Sequence, residues 1–525
     1  MESIKRSIIR SLILTLCLIL CLPQSPAAAG NVENSLVIGV QCSKTQTIRP
    51  LLPVERDMVS IYQLVYESLI YLDDDYHPQG KLAQSWDVSS NGKTWTFYLR
   101  PSVTFSDGTP LTARDVVASA QYILDRANDE NTEDSGFYAN LKYFISSVSA
   151  SDDSTVVIKT SKRPCYGFLY AMTFPVVPAA LVDADNPPGT GPYLFNTFAA
   201  GDYAWLQANP NWWQVQPQVQ ELMFSFHETQ KAVIESYEYA RVDAAFSRSI
   251  ASAQYKSGTS SLSISYRTNQ LECLLMNNSA SELTREVRQA IRCVIDTSKI
   301  ISNVYSGLVT PTNLPFYPGT WMYNDTLSSY FTLSQAEARR LLEEAGWGDS
   351  DEDGVLDKLN SEGKLARLHL RFYVYEEPEN DVRVEAANQM ADMLAAVGID
   401  TTVEAMTLPN LKERLQAGSY DLALVSFAMD AVPDPGFMLM RGNSGNYTRY
   451  RSEEITEMFE ELRTKTTQSE YQQVLWKIQS RFAEDCPFLC LYWRMGNILT
   501  RYMFTTARDV REYELLRGIE LFHSQ

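Results

Sequence analysis

The sequence predicts an α/β protein with more than one domain. Three observations carry that reading. The chain has 525 residues, more than one hydrophobic core organises. Short apolar runs of strand character alternate along it with longer stretches of helical apolar spacing. Hydrophobic residues make up 45% and charged residues 21%, a globular balance, and no low-complexity tract or internal repeat is visible.

The N-terminus comes first in order. Lys5, Arg6 and Arg10 precede an apolar run from Leu12 to Leu22 broken only by Thr15, and Ala27-Ala28-Ala29 follows. A positive region, a short apolar run and small residues are the layout of a secretory signal peptide, so residues 1–29 are expected to be removed. The run is short for a membrane span. Two rivals stay open: lipidation at Cys17 or Cys21, each preceded by Leu where a small residue is wanted, and an uncleaved anchor.

Strands are expected at Val37 to Val40, Trp95 to Leu99, Val156 to Ile158, Leu222 to Phe226, Leu368 to Tyr375 and Leu422 to Val425. Helices fall between them. Thr112-Ala113-Arg114-Asp115 resembles a capping box ahead of Val116, Ala120, Ile123 and Ala127. Ser334-Gln335-Ala336-Glu337 is a better box, and its helix is expected to stop at Gly346. Val287, Ala290, Ile291 and Val294 share one helical face, as do Ala386, Met390, Met393 and Val397 ahead of Gly398. Two late stripes, Ile455 to Leu462 and Tyr471 to Phe482, complete the set. Such stripes are core-facing surfaces and carry no function by themselves.

The net charge is −19, and loss of residues 1–29 removes three basic groups and one acid, leaving −21. That surface repels nucleic acid. Six cysteines remain after residue 29, and an exported chain can oxidise them. Disulfides and buried thiols are both open readings. Metal binding by Cys486 and Cys490 is disfavoured by the lack of a nearby His.

Catalytic constellations are missing. The four histidines are His77, His227, His369 and His523. His227-Glu228 does not extend to a zinc-protease helix, Gly442 to Gly445 is no nucleophile elbow, and Gly189-Thr190-Gly191 opens neither a phosphate loop nor a dinucleotide site. Asp349 to Gly354 matches the first half of a calcium loop, but the twelfth position is Asn360 rather than Glu. It reads as a solvated acidic turn. No catalytic residue, no metal site and no cofactor is expected.

Four blocks together resemble the peptide/nickel class of bacterial extracellular solute-binding proteins of ABC importers, the oligopeptide- and dipeptide-binding type. The first is Leu82 to Trp86, Gly92 to Arg100 and Phe105 to Val116. The second is Gly189 to Tyr193 with Asn209 to Trp213. The third is Val287 to Ile291 with Asp296. The fourth is Ala338 to Trp347 with the acidic turn after it. The resemblance implies a two-lobed periplasmic-binding-protein-like fold with hinge strands and an additional domain on lobe I. Lobe I is expected at 30–49, 187–268 and 489–525, the additional domain at 50–186, and lobe II at 269–488.

It also implies a function without chemistry. An exported, periplasmic or cell-surface monomer would capture an oligopeptide or dipeptide between lobes and deliver it to ABC permease subunits. The alternative is a nickel complex, haem or another small solute on the same fold; a secreted hydrolase is a more distant one. Family binders hold the peptide ammonium with an Asp after a strand, and Asp430 falls at that position. Phe427, Ala428, Met429 and Asp430 are the candidate ligand-binding residues. Phe427 stands where the family often places Trp, either against ligand or in the core; the rival role for Asp430 is capping its own loop. Leu424 replaces an Arg that the oligopeptide binder uses near the ligand's C-terminal end, and Arg441 is a candidate substitute cation.

Overall fold

The computed structural model describes residues 35–128, 137–160, 165–255, 257–258, 261–359, 363–377, 380–501 and 510–521. The expected signal segment, with Cys17 and Cys21, lies outside them, as does Asn360.

Strand formation follows the apolar runs. Eleven strands form one mixed sheet: β1 (Ser35–Gln41), β2 (Tyr193–Ala199), β3 (Tyr203–Ala208), β4 (Glu221–His227), β5 (Ala244–Ser247), β6 (Leu262–Met276), β7 (Val309–Pro311), β8 (His369–Tyr375), β9 (Asp400–Met406), β10 (Leu422–Ala428) and β11 (Phe488–Thr500). The order is β9-β8-β10-β6-β11-β5-β1-β4-β3-β2, with β7 also on β11. β1 runs parallel to β4 and β5, and β8 runs parallel to β9 and β10. Parallel neighbours need crossover connections; between β8 and β9 the helix Val382–Ala395 supplies one.

Two strands make this sheet into two blocks. β5 meets β11 only at residues 497–500, whereas β7 meets it at 492–494. β10 meets β6 only from Gln270 onward. So β6 and β11 belong to one block by one half and to the other block by the other half. Between those halves the β6–β11 register shifts, from Arg267↔Met495 to Leu271↔Trp493. An interrupted ladder locally loses hydrogen bonds and bends, which is what a hinge between lobes requires. The architecture is α/β and two-lobed.

Past the shift, β6 separates two cores. Cys273 and Leu275 face one buried cluster, Leu274 and Met276 the other. A separate antiparallel sheet of four strands, Ala83–Val88, Thr94–Leu99, Thr155–Thr160 and Ile145–Asp152, packs Trp95 and Phe97 on Phe168. The two capping boxes differ in detail. Ser334 Oγ accepts from Glu337 N at 3.1 Å, and Gly346 takes φ +84° at the far end. At Thr112 the roles shift: Asp115 accepts from both Thr112 N and Thr112 Oγ1.

Gly496 lies on the β5 side of the register shift. It lies opposite Tyr266, which is 1% exposed. A Cβ on Gly496 would sit 2.1 Å from the Tyr266 ring. Gly496→Ala is therefore expected to destabilise the protein by about 1–3 kcal/mol, the cost of overpacking. Urea unfolding midpoints of the two proteins check this.

Candidate ligand-binding site

β6 and β10 leave their ladder beside each other at a cavity of about 350 Å³. Its walls come from distant parts of the chain: Tyr76, Asn140 and Tyr170; Arg267 to Asn269; Tyr317; Ala428 to Pro435; Trp493; and Arg511 to Glu514. The hinge strands thus enter the cavity wall directly.

The end of β10 is fixed by local bonds. Met429 N donates to Asn269 O at 2.9 Å, and Asn269 Nδ2 returns a bond to Met429 O at 3.2 Å. The same Nδ2 donates to Tyr513 OH at 3.1 Å. Burial pushes the Tyr513 phenol's pKa up, so it remains neutral at ordinary pH. Ala428 is exposed into the cavity and Met429 half-buried along it.

Asp430 follows at once and is exposed. Its Oδ1 accepts from Val432 N at 3.1 Å, closing a local turn. Its Oδ2 accepts from Asn140 Nδ2 at 2.7 Å. Asn140 comes from the short helix Ala139–Tyr143, so this bond spans 290 residues of chain. The loop-capping role and the cavity position coexist in one carboxylate. Asp434, by contrast, pairs with Arg463 at 2.8 Å and accepts from Gly436 N at 2.9 Å, a structural turn.

Three expected positions fall elsewhere. Phe427 is 9% exposed and outside the cavity lining; its ring packs against Phe437 and Tyr447 at 6.0 and 6.3 Å. Of the two roles open to it, this is the core one. Leu424 is fully buried in the core behind β10. Arg441 lies on a different surface hollow, with Arg449 and Arg451. For Phe427 and Leu424 the reason is strand alternation: along β10, Ala423, Val425 and Phe427 face one core and Leu422 and Leu424 the other.

Among the described residues the cations that line the cavity are Arg267 and Arg511. The Arg267 guanidinium lies 4.8 Å from the Tyr317 ring centre and 6.0 Å from that of Tyr76. Arg511 lies 4.3 Å from the Tyr76 ring on its own account, pairs with Glu514 at 2.9 Å, and donates to Leu72 O at 2.7 Å. Ring faces attract such cations and hold them in place. Tyr76 has φ +64°, a left-handed conformation that costs a bulky residue energy. The Trp493 ring lies 5.4 Å from that of Tyr317, tilted by 36°, and donates Nε1–H to Phe316 O. The site therefore combines carboxylates, among them Asp430, with the guanidinium groups of Arg267 and Arg511 and the rings of Tyr76, Tyr317 and Trp493.

No histidine lines the cavity among the described residues. The carboxylate oxygens of Asp349, Asp351 and Asp353 do lie within 4.8 Å of one another, all exposed. Arg367 pairs with Asp353 and lies 3.6 Å from Asp351. Among the described residues no helix is long and apolar enough to cross a membrane.

Comparisons with known proteins agree on the fold. The family model for bacterial extracellular solute-binding proteins, family 5, middle region, matches residues 77–449. The oligopeptide-binding protein AppA of Bacillus subtilis is 24% identical over 483 residues, covering 86% of each chain. The crystal structure of CtaP, an ABC transporter substrate binding protein from Listeria monocytogenes, aligns with TM-score 0.77 and 22% identity over 94% of this chain and 99% of that one. NikZ from Campylobacter jejuni, in complex with Ni(L-His), aligns with TM-score 0.70 and 20% identity over 93% of this chain and 99% of that one.

Proposed function

Because the chain belongs to family 5 of the bacterial extracellular solute-binding proteins, a family of binders rather than enzymes, we propose that it captures peptides in the hinge cavity. It then hands them, chemically unchanged, to the permease subunits of an ABC importer. In this reading the protein is exported and acts as a monomer. Lobe I takes residues 30–49, 187–268 and 489–525, an additional domain takes 50–186, and lobe II takes 269–488.

The position of Asp430 carries the proposal. Its Oδ2 accepts from the Asn140 amide, a second lining residue distant in the chain. A peptide ammonium is a stronger donor to the same oxygen, and an enclosed ammonium requires a paired carboxylate. Ala428 and Met429 present the adjoining strand end, where peptide backbone can bond without regard to sequence. The relative AppA, named for oligopeptide binding, supports the same class.

Closure is the mechanism. Ligand shifts an open–closed equilibrium by its differential affinity for the closed state. The Asn140–Asp430 bond joins the additional domain to lobe II in this division, so it favours closure before ligand arrives. Asn140→Ala is expected to enlarge the ligand-free radius of gyration, and saturating peptide to restore the compact value. Small-angle scattering on the two proteins measures both. A radius that no peptide changes in either protein removes the capture reading.

A chelated metal is the second reading, favoured by the likeness to NikZ with Ni(L-His). With no histidine lining the cavity among the described residues, such a complex would bring its own nitrogen ligands. Elemental analysis and absorbance of gently isolated protein separate the two readings, alongside mass spectrometry of any co-purified peptide.

A further inference from the structure

We propose that Cys273 and Cys490 form a disulfide in the exported protein. The assignment comes from register. Cys273 on β6 lies directly opposite Cys490 on β11, and the pairs after it, Leu274↔Leu489 and Leu275↔Phe488, keep the same register. Directly opposite residues of an antiparallel pair have Cβ atoms about 4.5–5.5 Å apart, at the edge of disulfide reach. Facing is the second requirement. Both thiols belong to the same core cluster, whereas Leu274 and Leu489, the next pair along the ladder, belong to the other. The two sulfur atoms therefore emerge on one face of the sheet.

The remaining cysteines are placed differently. Cys42 Sγ donates to Glu55 Oε2 at 3.0 Å. Cys165 precedes a short helix in the first core. Cys293, on the helix Arg285–Val294, and Cys486, the left-handed residue ending the helix Gln468–Asp485, share the second core. They come from different helices, and no ladder sets them opposite each other. That pair is the competitor.

The chemistry balances by exchange. A thiolate of one cysteine attacks the disulfide of an oxidoreductase or of oxidised glutathione, giving a mixed disulfide and releasing one thiol. The second cysteine attacks the mixed bond and releases the other thiol. Two cysteine thiols are oxidised and one reagent disulfide is reduced to two thiols. In the folded chain Cys273 is fully buried and Cys490 nearly so. Burial, and after it Cys490, push the Cys273 thiol well above the ordinary range, which makes it a poor nucleophile once folded. The bond is thus made while β6 and β11 assemble, and it is then shielded from reductant.

Its place in the sheet gives it a role. The register shift that interrupts β6 ends at Leu271, and a second, one-residue irregularity falls between Glu272 and Cys273. A covalent tie at Cys273 would end the pliable stretch there and join β6 to β11 on the lobe II side. Hinge motion would then be confined to the few residues before it.

The proposal rests on export but not on the ligand class. The test uses the full chain, unfolded with reductant and refolded with or without oxidised glutathione, beside protein taken from the cell envelope and alkylated at once. Digestion and mass spectrometry are expected to find the Cys273 and Cys490 peptides linked in the envelope and glutathione samples, with Cys42 and Cys165 alkylated. The linked form should melt several degrees above the reduced form, and a Cys273→Ala/Cys490→Ala variant should show no such difference. Full alkylation of both residues in the envelope and glutathione samples overturns the proposal, as does a Cys293–Cys486 link in place of theirs. Ligand binding measured on the same samples reports separately on the capture reading.

Discussion

Asp430→Asn is expected to weaken binding of a free-amine peptide by about ten- to a hundredfold, the worth of a hydrogen bond to a charged group. The N-acetylated form of the same peptide should bind both proteins alike. The contrast follows from charge alone. The carboxylate is on the cavity wall with Asn140 bonded to Oδ2 and Val432 N to Oδ1. Asn keeps one acceptor, so the Val432 turn survives, but it presents an amide where the ammonium needs an anion. Isothermal titration with the peptide pair reads the effect directly. Equal losses for both peptides would make Asp430 a loop residue whose replacement distorts the cavity. No loss for either would place the ammonium elsewhere.

The parts of this site differ in how far the sequence revealed them. Asp430, with Ala428 and Met429, is proposed from the family resemblance, which the local succession of strand, carboxylate and Pro-rich turn allows to be aligned, and all three line the cavity. Arg267, Tyr76, Tyr317 and Trp493 were not legible in the sequence. They converge from segments hundreds of residues apart, and no local pattern announces that meeting. The hinge strands themselves escaped for a different reason. β6 is half-exposed and mixed in its first half and continuously buried in its second, with a register shift between. Neither alternation nor a single short apolar run describes it. By contrast β4 alternates buried and more exposed residues, β10 starts as one buried run, and β1 and β8 are short strands with a buried centre; the expected strands fall inside or within one residue of the observed ones. The pair Cys273 and Cys490 was equally illegible until the register between β6 and β11 was known.

Glu272→Gln is expected to cost about 3–5 kcal/mol of stability, the largest single-residue effect foreseen here. Glu272 is 1% exposed on β6 and takes two bonds from Arg383, at 3.1 and 2.6 Å. Arg383 Nη1 also lies 2.9 Å from Glu377 Oε1, out of line for a hydrogen bond, while Arg494 Nη1 lies 2.7 Å from the same oxygen. The four side chains form a quartet beside the hinge, with Glu272 and Arg383 buried and Glu377 and Arg494 half-buried, where Arg494 O accepts from Thr268 Oγ1. Removing one carboxylate leaves the Arg383 charge buried with half its support. Removing both partners is different, because the desolvation penalty goes with them. Glu272→Leu/Arg383→Met leaves Glu377 with Arg494, and it is expected to regain most of the loss in urea unfolding. The pH dependence follows from Glu377. Burial alone would raise its carboxyl, but Arg383 and Arg494 outweigh that and hold it below the ordinary value. A depressed folded pKa gives stability that is complete above the unfolded value, about 4.3, and is lost as pH falls through the folded one. Glu377→Gln should therefore flatten the stability profile on the acid side of that value and leave its shape near neutrality unchanged. A Glu272→Gln cost below about 1 kcal/mol would mean that water reaches Arg383, and the quartet would then be a surface network rather than a brace for the hinge.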